Sequence, residues 1–231
     1  MAGSIIIKPA VQQRFDSFIQ RGRVLFVSAP CGFGKSTLAD ALLEGRSVLR
    51  LSAGAPDSSL DALPEAWDIL LIDDFQQLPE GSEEQTLCQL IRSASAKHFV
   101  LLSRGAPPSY LTAFQYAGPM TTLEADDLLF DREDIRKYFA LSGVPITDSE
   151  IIGLLKGSIG YPLGIAVTAR CMSGGKSFGP EVAVRVYRRV FSYFEDAIYR
   201  RFDLEMARMV SGTPHAGELL DWLLRHTTML R

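Results

Sequence analysis

The run Val24-Leu25-Phe26-Val27-Ser28 leads directly into Ala29-Pro30-Cys31-Gly32-Phe33-Gly34-Lys35-Ser36-Thr37, and then into a helix-forming stretch, Leu38 to Glu44. An apolar strand, a glycine-bearing loop and a lysine–hydroxyl pair at a helix start leave few folds open. Gly32 and Gly34 let the backbone curl so that successive N–H groups face a single anion. The helix opening near Lys35 adds the positive end of its dipole to the same place. Residues Ala29, Pro30, Cys31, Gly32, Phe33, Gly34, Lys35, Ser36 and Thr37 therefore read as a phosphate-binding loop, a P-loop. In that reading Lys35 reaches the β- and γ-phosphates and the Ser36 hydroxyl ligates Mg2+. One position departs from the pattern G-x-x-x-x-G-K-[ST]: Ala29 stands where its first glycine is expected.

A phosphate loop becomes a hydrolase or a switch only with an acid at the end of a neighbouring buried strand. Ile69-Leu70-Leu71-Ile72-Asp73-Asp74 supplies one. Four apolar residues in a row fit a strand covered on both faces of a parallel sheet. Asp73 at its end would hold Mg2+ through water, and Asp74 is placed to orient or polarise an attacking water. Without the loop the two acids would read only as the polar cap of a strand.

A third apolar run, Phe99 to Ser103, ends in Arg104. If it lies beside the first strand, Arg104 reaches the sheet edge that carries Lys35 and Asp73, where ligands bind in open α/β sheets. Its planar guanidinium matches phosphate oxygens and could read the γ-phosphate. The bland reading is a surface arginine in a loop.

The remaining composition mainly excludes. A net charge of −3 argues against a segment that grips nucleic acid by general electrostatics. Cys31, Cys88 and Cys171 are scattered, with neither a disulfide framework nor zinc spacing, which suits a reducing compartment. Ile5-Ile6-Ile7 is too short for a signal-peptide core, and no window reaches a membrane span. The expected location is cytoplasmic.

Along the chain, strands at 24–28, 47–52, 69–73, 99–103 and 120–124 alternate with helices at 9–20, 38–44 and 82–93, the last with Ser82 as N-cap. This predicts a parallel five-stranded sheet with 120–124 at an edge. After Glu124 no strand follows. Helices are predicted at 131–141, 147–156 (with a Thr147–Glu150 capping box), 162–172, 180–202 and 216–225. The predicted fold is an α/β P-loop NTPase, a nucleotide-binding domain over 1–126 followed by a smaller all-α helical lid domain over 127–231. The long helix carries Arg185, Arg188, Arg189, Arg200 and Arg201 beside an apolar stripe that includes Val186, Val190, Phe194 and Ile198. It reads as a solvated basic face over a buried stripe, or as a docking face.

These elements resemble the nucleotide-binding module of the STAND class, signal-transduction ATPases with numerous domains. The likeness is strongest to the large LuxR-type, maltose-activator-like bacterial transcriptional regulators. It rests on Val27–Thr37, Leu71–Phe75, Leu101–Pro108, Leu128–Ile135 and Gly157–Ile165, and runs from about Lys8 to at least Ala166. The Ala-Pro start of the loop is usual in that family. The resemblance implies that Pro162, in Gly160-Tyr161-Pro162, packs near the adenine and couples nucleotide state to domain closure; alone, Pro162 is only a helix-starting proline. It also implies a phosphate-sensing role for Arg104, ATP and ADP as ligands, and self-association in the ATP state. Near Leu219–Leu224 it implies the start of a winged-helix region, cut short here. Beyond would lie a repeat-rich sensor and a DNA-binding helix-turn-helix of the same protein. The segment before Asp73 is shorter than the family's, so a helix there is expected to be missing or reduced.

The function expected is an ATP/ADP-dependent signalling switch with slow hydrolysis, in which Lys35, Asp74 and Arg104 act on the nucleotide. Two other classes stay open: an AAA+ ATPase or P-loop kinase acting on a separate substrate, and an interaction module that binds nucleotide only structurally.

Overall fold

The computed structural model describes residues 5–55, 59–61, 63–64, 66–79, 81–93 and 97–194. Five strands, β1 (Val24–Ser28), β2 (Val48–Ser52), β3 (Ile69–Asp73), β4 (His98–Ser103) and β5 (Met120–Glu124), form one sheet in the order β2-β3-β4-β1-β5. Every neighbouring pair is parallel. β1 lies between β4 and β5, with Ser28 in register with both Ser103 and Glu124. The strand ending at Arg104 therefore does lie beside the P-loop strand, and β5 is an edge, as expected.

The central strands are continuous apolar runs because each face is covered. Leu25, Val27, Ile69, Leu71, Val100 and Leu102 point to one side. There they meet Val11, Phe15 and Phe18 of α1 (Pro9–Arg21) and Leu38, Ala39 and Leu42 of α2 (Lys35–Leu42). Val24, Phe26, Leu70, Ile72, Phe99 and Leu101 point to the other side. Leu87 and Ile91 of α3 (Ser82–Ser93) cover them, with Trp67, Leu111 and Phe114. Burying side chains of this size contributes about 1.5–3 kcal/mol each. The edge strand β2 alternates instead, with Arg50 turned out to Asp40 at 2.6 Å.

One local expectation is corrected: Ser82 is the first helical residue of α3, not its cap. After Pro107-Pro108 the chain forms a 3-10 turn, Ser109–Leu111, before the single α-helical turn of α4 (Thr112–Tyr116). A further one-turn helix, α5 (Ala125–Leu128), had no signal beyond the Glu124–Asp127 capping box that holds it. Between β2 and β3 no helix occurs among the described residues.

The helices that follow bury a core of their own. They are α6 (Arg132–Leu141), α7 (Asp148–Ser158), α8 (Pro162–Met172) and α9 (Pro180–Phe194). Ile135, Phe139, Ile151, Leu154, Ile165 and Met172 fill the space between them. Asp131 caps α6, accepting from the backbone N–H groups of Glu133 and Asp134. Those bonds hold its carboxyl below the ordinary range. Thr147 and Glu150 form the expected box on α7. Residues 195–202 of the expected long helix, the stretch 219–224 and the expected helix 216–225 lie outside the described residues.

The two parts also meet away from the loop, where Lys8 lies 3.5 Å from the nearly buried Asp134.

Candidate functional site

The residues singled out in the sequence converge at the carboxyl ends of β1, β3 and β4. A cavity of about 510 Å³ opens there. Its polar end is lined by Gly34, Lys35, Ser36, Asp73, Asp74 and Arg104; Cys31, Gly32, Phe33 and Thr37 also line it. Ala29 and Pro30 do not: Ala29 is buried in the sheet core, and both residues act through their carbonyls.

Those carbonyls hold Lys35. Its Nζ donates to Ala29 O at 2.6 Å and to Pro30 O at 3.0 Å, folding the side chain back along the loop. Burial, reinforced by Arg104, pulls the Lys35 ammonium below its ordinary pKa; Cys31, Asp73 and Asp74 oppose the shift. The loop itself turns through left-handed backbone at Gly32 (φ 80°) and at Gly34 (φ 76°), which is the N-cap of α2.

Ser36 and Asp73 face each other directly, Oγ donating to Oδ2 at 2.7 Å. The other Asp73 oxygen accepts from Asp74 N–H at 2.8 Å. A hydroxyl and a carboxylate this close are hard oxygen donors of the kind Mg2+ takes, so these residues fit that ion. Among the described residues no group of three or more His, Cys, Asp or Glu could cage a metal. A Mg2+ here would draw its remaining ligands from phosphate and water.

Asp74 follows β3 in left-handed backbone, φ 49° and ψ 40°. Its Oδ1 accepts from Arg104 Nη2 at 3.1 Å and from Gln76 Nε2 at 3.1 Å. Gln76 Oε1 in turn accepts from Arg104 N–H at 3.0 Å. Sequence reasoning missed Gln76, since a glutamine after a strand end carries no signal of its own.

Apolar side chains also line the cavity, with Lys8 and Asp127 among them. Ile5, Ile6, Val11, Leu128, Phe130 and Pro162 form much of this apolar lining, so Pro162 does share the cavity with the P-loop. Ile5 and Ile6 were read only as too short for a signal peptide; three β-branched residues ahead of a helix were the available hint.

The Tyr161-Pro162 turn also touches the loop itself. Tyr161 Oη donates to Cys31 O at 3.0 Å, and Leu163 N–H donates to Gly32 O at 3.1 Å. The Tyr161 ring tilts against Phe33 with centroids 5.3 Å apart. On its other side it stacks on Phe194 of α9 at 6.3 Å. Next to Phe194, Tyr193 lines the cavity, its hydroxyl 3.7 Å from Cys31 Sγ. Burial and that contact push the Tyr193 phenol up to about 12.

No protein-family model matches the chain, and no curated protein matches it in sequence. Solved structures do match in fold. The Walker-type ATPase of Pyrococcus abyssi superposes with a TM-score of 0.63 at 12% identity, covering 96% of this chain and 89% of that one. A point variant of RuvB from Thermotoga maritima gives 0.54 at 16% identity, covering 84% and 78%. A STAND protein with a tetratricopeptide repeat sensor, from Pyrococcus horikoshii, gives 0.51 at 12% identity. That match covers 80% of this chain and a third (33%) of the longer protein. The parallel sheet, the loop between β1 and α2 and the flanking helices make this a P-loop NTPase fold. Among the described residues no helix is long and apolar enough to cross a membrane.

Proposed function

We propose that this chain binds adenine nucleotide and Mg2+ and serves as the ATP/ADP-dependent switch module of a STAND-type regulator, of the LuxR kind. One observation carries the reading. The cavity that holds Lys35, Ser36, Asp73 and Arg104 is also lined by Tyr138, Pro162, Leu163 and Ala166 of the helical part. A ligand in it touches both parts at once, which a switch requires and a plain phosphate site does not.

Each residue then has a task. Lys35 leaves the Ala29 and Pro30 carbonyls for the β- and γ-phosphates, a charge-assisted exchange. Ser36 and Asp73 hold Mg2+, which neutralises phosphate charge when bound. Arg104 reads the γ-phosphate, and Asp74 orients the water whose oxygen bonds to the γ-phosphorus as the β,γ-bridging bond breaks. The apolar lining, Pro162 included, receives the base. ADP favours one arrangement of the two parts and ATP another, and the bias equals the difference in their contacts. Self-association in the ATP state and the sensor and DNA-binding domains of the whole protein belong to this reading; this segment itself contacts no nucleic acid. The same reading divides the chain near residue 126 into a nucleotide-binding and a lid domain, and places the protein in the cytoplasm.

The test is to denature gently purified protein and identify the released nucleotide by chromatography, with Lys35→Ala beside it. Hydrogen bonds to charged groups contribute about 1.5–3 kcal/mol, so the substitution should weaken binding by roughly tenfold to 100-fold. Stoichiometric ADP from the parent, lost in the variant, is expected. An empty protein that turns ATP over rapidly would overturn the switch in favour of a substrate-directed ATPase.

A further inference from the structure

We infer that Gln76 is a positioning residue of this site, its side-chain amide fixing Asp74 and Arg104 in one relative orientation so that acid and guanidinium respond to a γ-phosphate as a unit. The inference rests on the nucleotide-binding reading above. Gln76 lies in the 3-10 turn Phe75–Gln77 that follows β3, whereas Arg104 follows β4. The strands are neighbours, and Gln76 spans the gap between their ends. Its Nε2 donates to Asp74 Oδ1 at 3.1 Å and its Oε1 accepts from Arg104 N–H at 3.0 Å. Arg104 Nη2 closes the circuit onto the same Asp74 Oδ1 at 3.1 Å.

The amide satisfies both contacts. The carboxylate oxygen requires a donor and the backbone N–H requires an acceptor, which also fixes the amide orientation. Glutamate would keep the acceptor for Arg104 N–H but set a second negative charge against Asp74. Leucine would remove both contacts. Asp74 departs from the strand in left-handed backbone, so the strand ladder does not by itself aim its carboxylate. Gln76 is exposed, so its substitution leaves the core untouched.

The experiment compares the full chain with Gln76→Glu and Gln76→Leu, measuring equilibrium affinity for Mg-ATP and Mg-ADP, with Lys35→Ala as control. A positioning role predicts that ADP affinity stays within about twofold while ATP affinity falls roughly fivefold or more, most in the glutamate variant, whose charge competes for the guanidinium. Equal losses for both nucleotides, or no loss for either, would overturn the role of Gln76 and leave the nucleotide site standing. Failure of the parent chain to bind either nucleotide, with Lys35→Ala indistinguishable from it, would overturn the underlying reading and this inference with it.

Discussion

Arg104 Nη2 lies 3.1 Å from Asp74 Oδ1, so the cation expected to read phosphate and the acid expected to orient water neutralise each other across the ends of β3 and β4. Both side chains are about a quarter exposed, 28% and 21%, so the pair adds less than about 1 kcal/mol to stability. On the proposed reading its importance is in binding. Arg104→Ala should leave the melting temperature within a few degrees and ADP affinity within about threefold, while ATP affinity falls roughly tenfold or more. Calorimetric titration with both nucleotides checks this; parallel losses for ATP and ADP would remove Arg104 from γ-phosphate sensing.

Gly32 should tolerate no side chain. Its φ of 80° is left-handed, and an added Cβ would collide with the Tyr161 hydroxyl and ring. The backbone term alone costs about 1–2 kcal/mol. Gly32→Ala should lower the melting temperature by roughly 2–8 °C at this chain length and weaken nucleotide binding. An unchanged melting curve would mean that the loop and the Tyr161 turn are not in contact in solution.

Tyr161→Phe separates the hydroxyl from the ring. Burial, with Cys31 and Tyr193 adding to it, pushes the phenol well above its ordinary pKa, so the hydroxyl stays a donor to Cys31 O at any working pH. Losing that bond should cost about 1 kcal/mol, while the ring contacts with Phe33 and Phe194 persist. The rate of ADP release should change severalfold, as read by displacement of a fluorescent analogue. A lower melting temperature with an unaltered release rate would reduce Tyr161 to packing.

His98 makes stability depend on pH. Burial, helped by Arg23 and Arg46, pulls its pKa below the ordinary 6.5, against the opposing bond of its Nε2 to Ile19 O and the charge of Asp68. The folded state therefore binds the proton less readily than the unfolded state. Stability is fully present above about pH 6.5 and is lost as pH falls from there toward the lower folded value. Thermal melts between pH 5 and 8 should slope upward, and less steeply in His98→Gln. Identical slopes would place the titration elsewhere.

The parts legible in the sequence share one property: their signal is local. Lys35 and Ser36 announce themselves within one loop, and Ile69–Asp73 within one strand, because a buried parallel strand must be apolar at every position. Arg104 needed one assumption, the adjacency of β4 and β1, which the register bears out. What stayed hidden depends on pairs far apart in the chain. Tyr161 meets Cys31 across 130 residues, and Gln76 meets Arg104 across 28. Neither contact leaves periodicity or composition to read, since a tyrosine before a proline and a glutamine after a strand are common anywhere. Ile5 and Ile6 were visible but misplaced, because an apolar run next to a chain end says nothing about which wall it completes. Ser82 missed its role by one position, as helix ends commonly do.

Tyr161 Oη and Leu163 N–H are bonded to the carbonyls of Cys31 and Gly32, the backs of the peptide groups whose other ends would face a phosphate. Peptide groups are rigid planes, so a loop that re-aims its N–H groups must also turn those carbonyls and release or drag the start of α8. Traffic along this linkage runs both ways. Whatever displaces α8, by however remote a grip on the helices behind it, would change nucleotide affinity by the same factor by which nucleotide changes that partner's affinity. The two bonds thus tie the start of α8 to the loop, so that neither can shift far without the other.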